Sequence, residues 1–247
     1  MNDPWDTLRR FTQARIAQGR SGSSLPTSAL LDFQLAHAMA RDAIHQPWDI
    51  ERLSEAVKAL GVEPLCLATP VADRVQYLQR PDLGRCLDVA SRQTLLLHRQ
   101  PAIDVVLTIS NGLSSIAVES HGLALLRAIM AVYSRIPLRC GPVCLVPNAR
   151  VALADQIGEL LNARLSVIVV GERPGLSAAD SLGVYLTYAP RVGNTDAERN
   201  CISNIRPPEG LSYQTAATKL AYLSHEALQR KVSGVALKDD MPSLFLG

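Results

Sequence analysis

Most of what would class this chain quickly is missing from its sequence. No apolar run approaches the ~18 residues that a spanning helix needs. The start, Met1-Asn2-Asp3-Pro4-Trp5-Asp6, has neither the basic n-region nor the apolar h-region of a signal peptide. Together these absences predict a mature cytoplasmic protein without a membrane anchor. The formal net charge is only +2 over 247 residues, and the basic residues are scattered. That argues against a phosphate-tracking surface and against nucleic acid as a partner. Five cysteines, Cys66, Cys86, Cys140, Cys144 and Cys201, form an odd set without disulfide-framework spacing, as expected of reduced thiols. Cys140 and Cys144 have no second Cys/His pair nearby and read as two buried thiols rather than a metal site. No repeat of 20 to 50 residues is visible. No strand leads into Gly-x-Gly-x-x-Gly and there is no Gly-Lys-Ser/Thr phosphate loop, so nucleotide chemistry has no fingerprint here.

Periodicity divides what is present into two parts. Over the first sixty or so residues, apolar positions recur at spacings of three and four: Trp5, Leu8, Phe11; Leu31, Leu35, Met39; Leu53, Val57, Leu60. Breakers at Gly19 to Ser24, Pro26 and Pro47 separate the segments, and Thr27 or Ser28 is placed to cap the second. From about Leu65, β-rich runs (Ile103 to Ile109, Pro142 to Val146, Leu165 to Val170, Val184 to Tyr188) alternate with helical patterns. The expected architecture is α/β: a Rossmann-like, mainly parallel sheet flanked by helices, with residues 1–64 a small N-terminal helical region and 65–247 the sheet domain. A last amphipathic helix carries Leu220 and Leu223, and the tail after Ser233-Gly234 reads as a surface extension.

Polar turns hang on these strands. Gly171-Glu172-Arg173-Pro174-Gly175 follows the most apolar strand, and Arg199 to Ile205 reads as a second polar turn. Gly-Leu-Ser recurs at Gly112, Gly175 and Gly210, each time with its serine placed as an N-cap. Ser177 with Asp180, and Thr195 with Glu198, have capping-box spacing. Helix starts after parallel strands gather on one sheet edge with N–H groups directed at a ligand. Three residues are candidates for that edge. Val151 opens the helix after the strand near Val146; Glu172 ends the apolar strand, the bland alternative being an ion pair with Arg173 or Arg191; Cys201 is otherwise a structural thiol. A cysteine hydrolase would need one of His37, His98 or His121 beside Cys201, and these sit on helical segments without recognisable pairing.

Three blocks, Val151 to Glu159, Gly171 to Leu176 and Asn200 to Ile205, closely resemble the small (light) subunit of ethanolamine ammonia-lyase. The resemblance extends in order through Arg15-Ile16 and Gly19 to Gly22, Leu31 to His37, Arg80 to Arg85, Ser110 to Ser114 and Ser233-Gly234, so it covers nearly the whole chain. It implies an adenosylcobalamin-dependent lyase formed with a large barrel subunit that holds the substrate and the catalytic groups. Such an enzyme converts ethanolamine, or another vicinal amino alcohol, to acetaldehyde (or the matching aldehyde) and ammonia, starting from homolysis of the cobalt–carbon bond. The light subunit's cobalamin contacts are expected at positions matching Val151, Glu172 and Cys201. Glu119-Ser120-His121-Gly122 fails the Asp-x-His-x-x-Gly pattern of proteins that ligate cobalt through histidine. The implied cofactor is therefore base-on, with no bond from this chain to cobalt. Asn111 stands where the family's Ser-Asp-Gly-Leu-Ser turn has aspartate, and the chain starts near its first helix, which gives no support for microcompartment association. The competing reading is a free-standing Rossmann-like module for a nucleotide or metabolite.

Overall fold

A computed structural model describes residues 4–101 and 103–241; the end of the tail, 242–247, lies outside the described residues. A short 3-10 helix, Pro4–Phe11, leads into α1 (Thr27–His45) and α2 (Ile50–Lys58). Neither Thr27 nor Ser28 caps α1: Pro26 holds the N-cap position without a side-chain hydrogen bond. Its fixed φ, here −56°, suits a helix entrance and its missing N–H is no loss there. Asp49 caps α2 by accepting from the Arg52 N–H, and Leu53 and Val57 of that helix join the main core.

The sheet has six strands in the order β1-β3-β2-β4-β5-β6: β1 Leu65–Cys66, β2 Val105–Ser110, β3 Cys140–Leu145, β4 Leu165–Gly171, β5 Leu182–Tyr188 and β6 Arg199–Ile205. Between β1 and β2 come α3 (Arg74–Gln79) and α4 (Val89–Leu97). After β2 come α5 (Ser115–Ala117), a π turn (Val118–Gly122) and α6 (Leu123–Tyr133); α7 (Leu153–Leu161) joins β3 to β4, and α8 (Tyr213–Arg230) follows β6. β1, β3, β2 and β4 pair in parallel, whereas β4–β5 and β5–β6 are antiparallel. The sheet is thus mixed, which corrects the expectation of a mainly parallel Rossmann-like one. The cause is the short, helix-free link between β4 and β5. A parallel return needs a crossover of a dozen or more residues, and residues 172–181 can only make a hairpin. Asn200 to Ile205 is likewise strand rather than turn. Its mixed burial, with Arg199, Ile202 and Ile205 inside and Cys201, Ser203 and Asn204 outside, marks the edge strand of this antiparallel half.

β2 and β4 are buried along their whole length, as parallel strands covered on both faces must be. Leu107, Ile109, Val167 and Val169 face α6 and α8, while Val106, Cys144 and Val146 face α4 and α7. Ser115–Tyr133 is long and apolar enough by composition to cross a membrane, although polar residues interrupt its apolar run. Here its Leu125, Leu126, Ile129 and Tyr133 are core residues packed beside α8. Of the paired thiols, Cys144 is buried but Cys140 is exposed. The start of the tail is tied down rather than extended. Ser233 donates to the Glu198 carbonyl and accepts from the Tyr188 N–H, Gly234 donates to Asn200, and Leu237 is buried.

Candidate functional site

The connections out of β2 and β4 leave in opposite directions, and between them the C-terminal ends of β2, β3 and β4 open a crevice, where open α/β sheets place ligands. The crevice is a cavity of about 420 Å³ lined by Gly112 and Leu113 after β2, Ala149 to Val151 after β3, Val170 to Arg173 at the end of β4 and just beyond it, and by Tyr77 and Tyr185.

Its floor depends on backbone packed against backbone. Gly112 has φ +48°, and a Cβ there would strike the Val170 side chain and the Gly171 carbonyl. A Cβ on Gly171 would strike the carbonyls of Asn111 and Ser114. Leu113 N–H donates to the Gly171 carbonyl at 2.9 Å, closing the β2 loop onto the end of β4. Asn111 is buried; its amide oxygen accepts from Asn148 N–H at 2.7 Å and its nitrogen donates to Ser115 Oγ at 3.1 Å. It therefore joins the β2 and β3 loops without a charge. Ser114 and Ser212 cap α5 and α8 as their Gly-Leu-Ser motifs predict, and Thr195 with Glu198 forms a capping box. Ser177 does not cap a helix, because the chain after Gly175 remains a loop that hairpins into β5.

Val151 and Glu172 both line the cavity. Val151 packs with Ala154, Ile168, Val170 and Tyr185. Glu172 makes no ion pair with Arg173 or Arg191; Arg191 pairs with Glu198 instead. The Glu172 Oε2 accepts from Ser181 Oγ at 2.7 Å and from the Asn204 N–H at 3.2 Å, so the carboxylate sits where β4, β5 and β6 end together. Its Oε1 lies over Gly183, which has no side chain to displace it.

Cys201 is not among the lining residues but adjoins them. It pairs with Tyr185 across β5 and β6, level with Ile168 in the middle of β4, and the Tyr185 hydroxyl hydrogen-bonds its sulfur. Cys201 is exposed, not buried as its apolar neighbours suggest, because α8 covers only the opposite face of β5 and β6. Desolvation against the tyrosine raises the Cys201 thiol pKa, and the nearby Glu172 charge adds to that rise against the lowering effect of the Tyr185 hydrogen bond. The phenol is raised in turn by burial and by Cys201. A thiol held neutral beside a tyrosine is a poor nucleophile. Of the three candidate histidines, His121 is bound elsewhere: Nδ1 to Tyr213 Oη at 2.7 Å and Nε2 to Asp180 at 3.1 Å.

Sequence reasoning missed Tyr77, Arg150 and Tyr185. Arg74 and Arg150 stack on the Tyr77 ring at 4.8 and 4.3 Å, and Tyr77 donates to the Ala149 carbonyl at 3.0 Å. Arg74 reaches the Gly112 carbonyl at 2.7 Å, bracing the same loop from behind. A neighbouring arginine beside Val151 was the available signal for Arg150; Tyr185 lay unmarked inside the strand run Val184 to Tyr188. Beneath the site, the buried Arg199 of β6 pairs with the buried Asp155 of α7, so the helix that follows Val151 is tied to the strand that carries Cys201. Among the described residues no cluster of His, Cys, Asp and Glu could hold a metal ion.

Residues 2–238 match the ethanolamine ammonia-lyase light chain family. The chain is 52% identical over 242 residues to the ethanolamine ammonia-lyase small subunit of Pseudomonas putida, covering 97% of this chain and 89% of that protein. It is 51% identical to the small subunit of Ralstonia nicotianae over 250 residues, covering 99% and 92% of the two chains. The counterpart from Azotobacter vinelandii is 52% identical over 244 residues, covering 96% and 89%.

Proposed function

The chain belongs to the ethanolamine ammonia-lyase light chain family, and from that premise we propose that it is the non-autonomous small subunit of an adenosylcobalamin-dependent lyase, contributing one wall of the cobalamin site. The observation that carries this reading is the meeting of Val151 and Glu172 in one crevice, with Cys201 joined to it through Tyr185.

The residues present suit a corrin, a broad apolar ring fringed with carboxamides. Val151, Leu113, Val170 and the Tyr185 ring supply apolar contact, Glu172 offers acceptor oxygens to amide N–H groups, and Gly112 with Gly171 lets the backbone come close. A cavity of about 420 Å³ is far too small to enclose the cofactor, as a wall shared with a second chain should be. When bound, adenosylcobalamin supplies the radical-initiating chemistry for converting ethanolamine, or a related vicinal amino alcohol, to an aldehyde and ammonia. This chain's residues bind and orient; catalytic groups acting on the substrate are assigned to the large barrel subunit.

Relatives named small subunits imply a hetero-oligomer. The exposed apolar row of Leu31, Leu35 and Met39 on α1, spaced four apart along one face, supports a chain contact there. For function we divide the chain into the N-terminal helical region 1–64 and the cofactor-facing domain 65–247, and we place it in the cytoplasm, where five free thiols stay reduced.

Co-expression with a candidate large subunit tests the reading. Ethanolamine deamination with adenosylcobalamin is expected only when both chains are present. Turnover by this chain alone, or no loss on omitting it, would overturn the proposal. A free-standing metabolite module has nothing further to explain, and a hydrolase centred on Cys201 is disfavoured by its raised pKa and tyrosine partner.

A further inference from the structure

Two arginines at the crevice stand out by what they do not bind. Arg150 is stacked on Tyr77 with its ring face 4.3 Å away, and one Nη donates to the Tyr77 carbonyl at 3.1 Å. Its Nε is buried and has no acceptor. Arg173, which also lines the crevice, is exposed and has no hydrogen-bond or ion-pair partner among the described residues. The one carboxylate lining the cavity, Glu172, accepts from Ser181 and Asn204 through Oε2 and pairs with neither arginine. The crevice therefore presents two guanidinium groups of fixed positive charge against one carboxylate, a net positive balance that favours an anion.

We propose that Arg150 and Arg173 form an anion subsite that takes the phosphodiester of the cofactor's nucleotide tail. This rests on the cobalamin reading above, since the phosphodiester is the fixed negative charge of that molecule's periphery. Planar guanidinium groups match phosphate oxygens in geometry as well as charge, and the Tyr77 stack holds one of them in place before binding.

The test is binding followed by corrin absorbance, using the two-subunit complex with hydroxocobalamin and with diaquocobinamide, which has the same ring but lacks the phosphodiester, ribose and base. Arg173→Gln touches nothing in the fold, and Arg150→Gln is compared with Arg150→Lys, which keeps the charge but not the stacked fork. Each Gln variant is expected to weaken hydroxocobalamin binding about ten-fold or more while leaving diaquocobinamide within about two-fold, with Arg150→Lys intermediate. Equal losses for both corrins, or no loss for hydroxocobalamin, would overturn the subsite while leaving the cobalamin reading intact. A wild-type complex that binds neither corrin would overturn the reading itself.

Discussion

Replacing Asp155 with alanine should unsettle the site without touching its lining. Asp155 and Arg199 are both almost wholly buried, with side chains 2% and 3% exposed. Burial raises the pKa of the Asp155 carboxyl, against the opposing pull of Arg199, so the pair is held in spite of desolvation. Removing one member leaves a buried guanidinium, which costs about 3–5 kcal/mol. Arg199 also reaches Asp196 at 2.7 Å and the Asn194 carbonyl at 2.8 Å. These contacts point to the lower end, about 3 kcal/mol. For a chain of this size that corresponds to a fall in Tm of roughly 6–12 °C. Urea unfolding followed by circular dichroism measures the free energy, and thermal melts check it. The double variant Asp155→Leu with Arg199→Met should recover most of the loss, because apolar replacement of a whole buried pair is often neutral or stabilising. A single-variant loss below about 1 kcal/mol, or strictly additive losses in the double variant, would refute the view that the pair's worth lies in mutual neutralisation.

Gly112→Ala should destabilise the chain by at least about 1–2 kcal/mol, since alanine is strained at a positive φ and its Cβ meets Val170 and the Gly171 carbonyl; corrin affinity of the complex should fall with it, and an unchanged melt would contradict the packing described. With its thiol pKa raised, Cys201 should alkylate slowly at neutral pH in the isolated chain, the rate rising only above the usual thiol range near pH ~8.5; rapid labelling at pH 7 would contradict this. Cys201→Ala should weaken cobalamin binding modestly and keep turnover, whereas abolished turnover would favour a nucleophilic thiol. Leu35→Glu with Met39→Glu, both on exposed α1 positions, should leave the melt within about 0.5 kcal/mol yet reduce co-purification with the large subunit; equal recovery of the complex would move the contact elsewhere.

Alternating apolar strands and helices were readable from the sequence because buried parallel strands are apolar throughout, as β2 and β4 are. Strand direction was not. Leu182 to Tyr188 has the same composition whether it runs with β4 or against it, and only the length of the 172–181 link decides. Asn200 to Ile205 looked like a turn because an edge strand exposes half its residues, and Cys201 read as a structural thiol because the sequence does not show which face of the edge strand is left exposed. Capping motifs were legible where a helix follows, at Ser114 and Ser212, and misleading at Ser177, where the polar run closes a hairpin. Of the site, Glu172 was found from its place at a strand end. Tyr77, which lies far away in the chain, reaches the crevice only through tertiary packing.

The central claim is that this chain builds part of a cobalamin site it cannot complete alone. Equilibrium binding of hydroxocobalamin to the large subunit with and without this chain, and with its Glu172→Gln variant, measures that claim directly. Tight binding only with both chains, weakened by Glu172→Gln, is the predicted result; affinity of the large subunit unaltered by this chain or by the variant would contradict it.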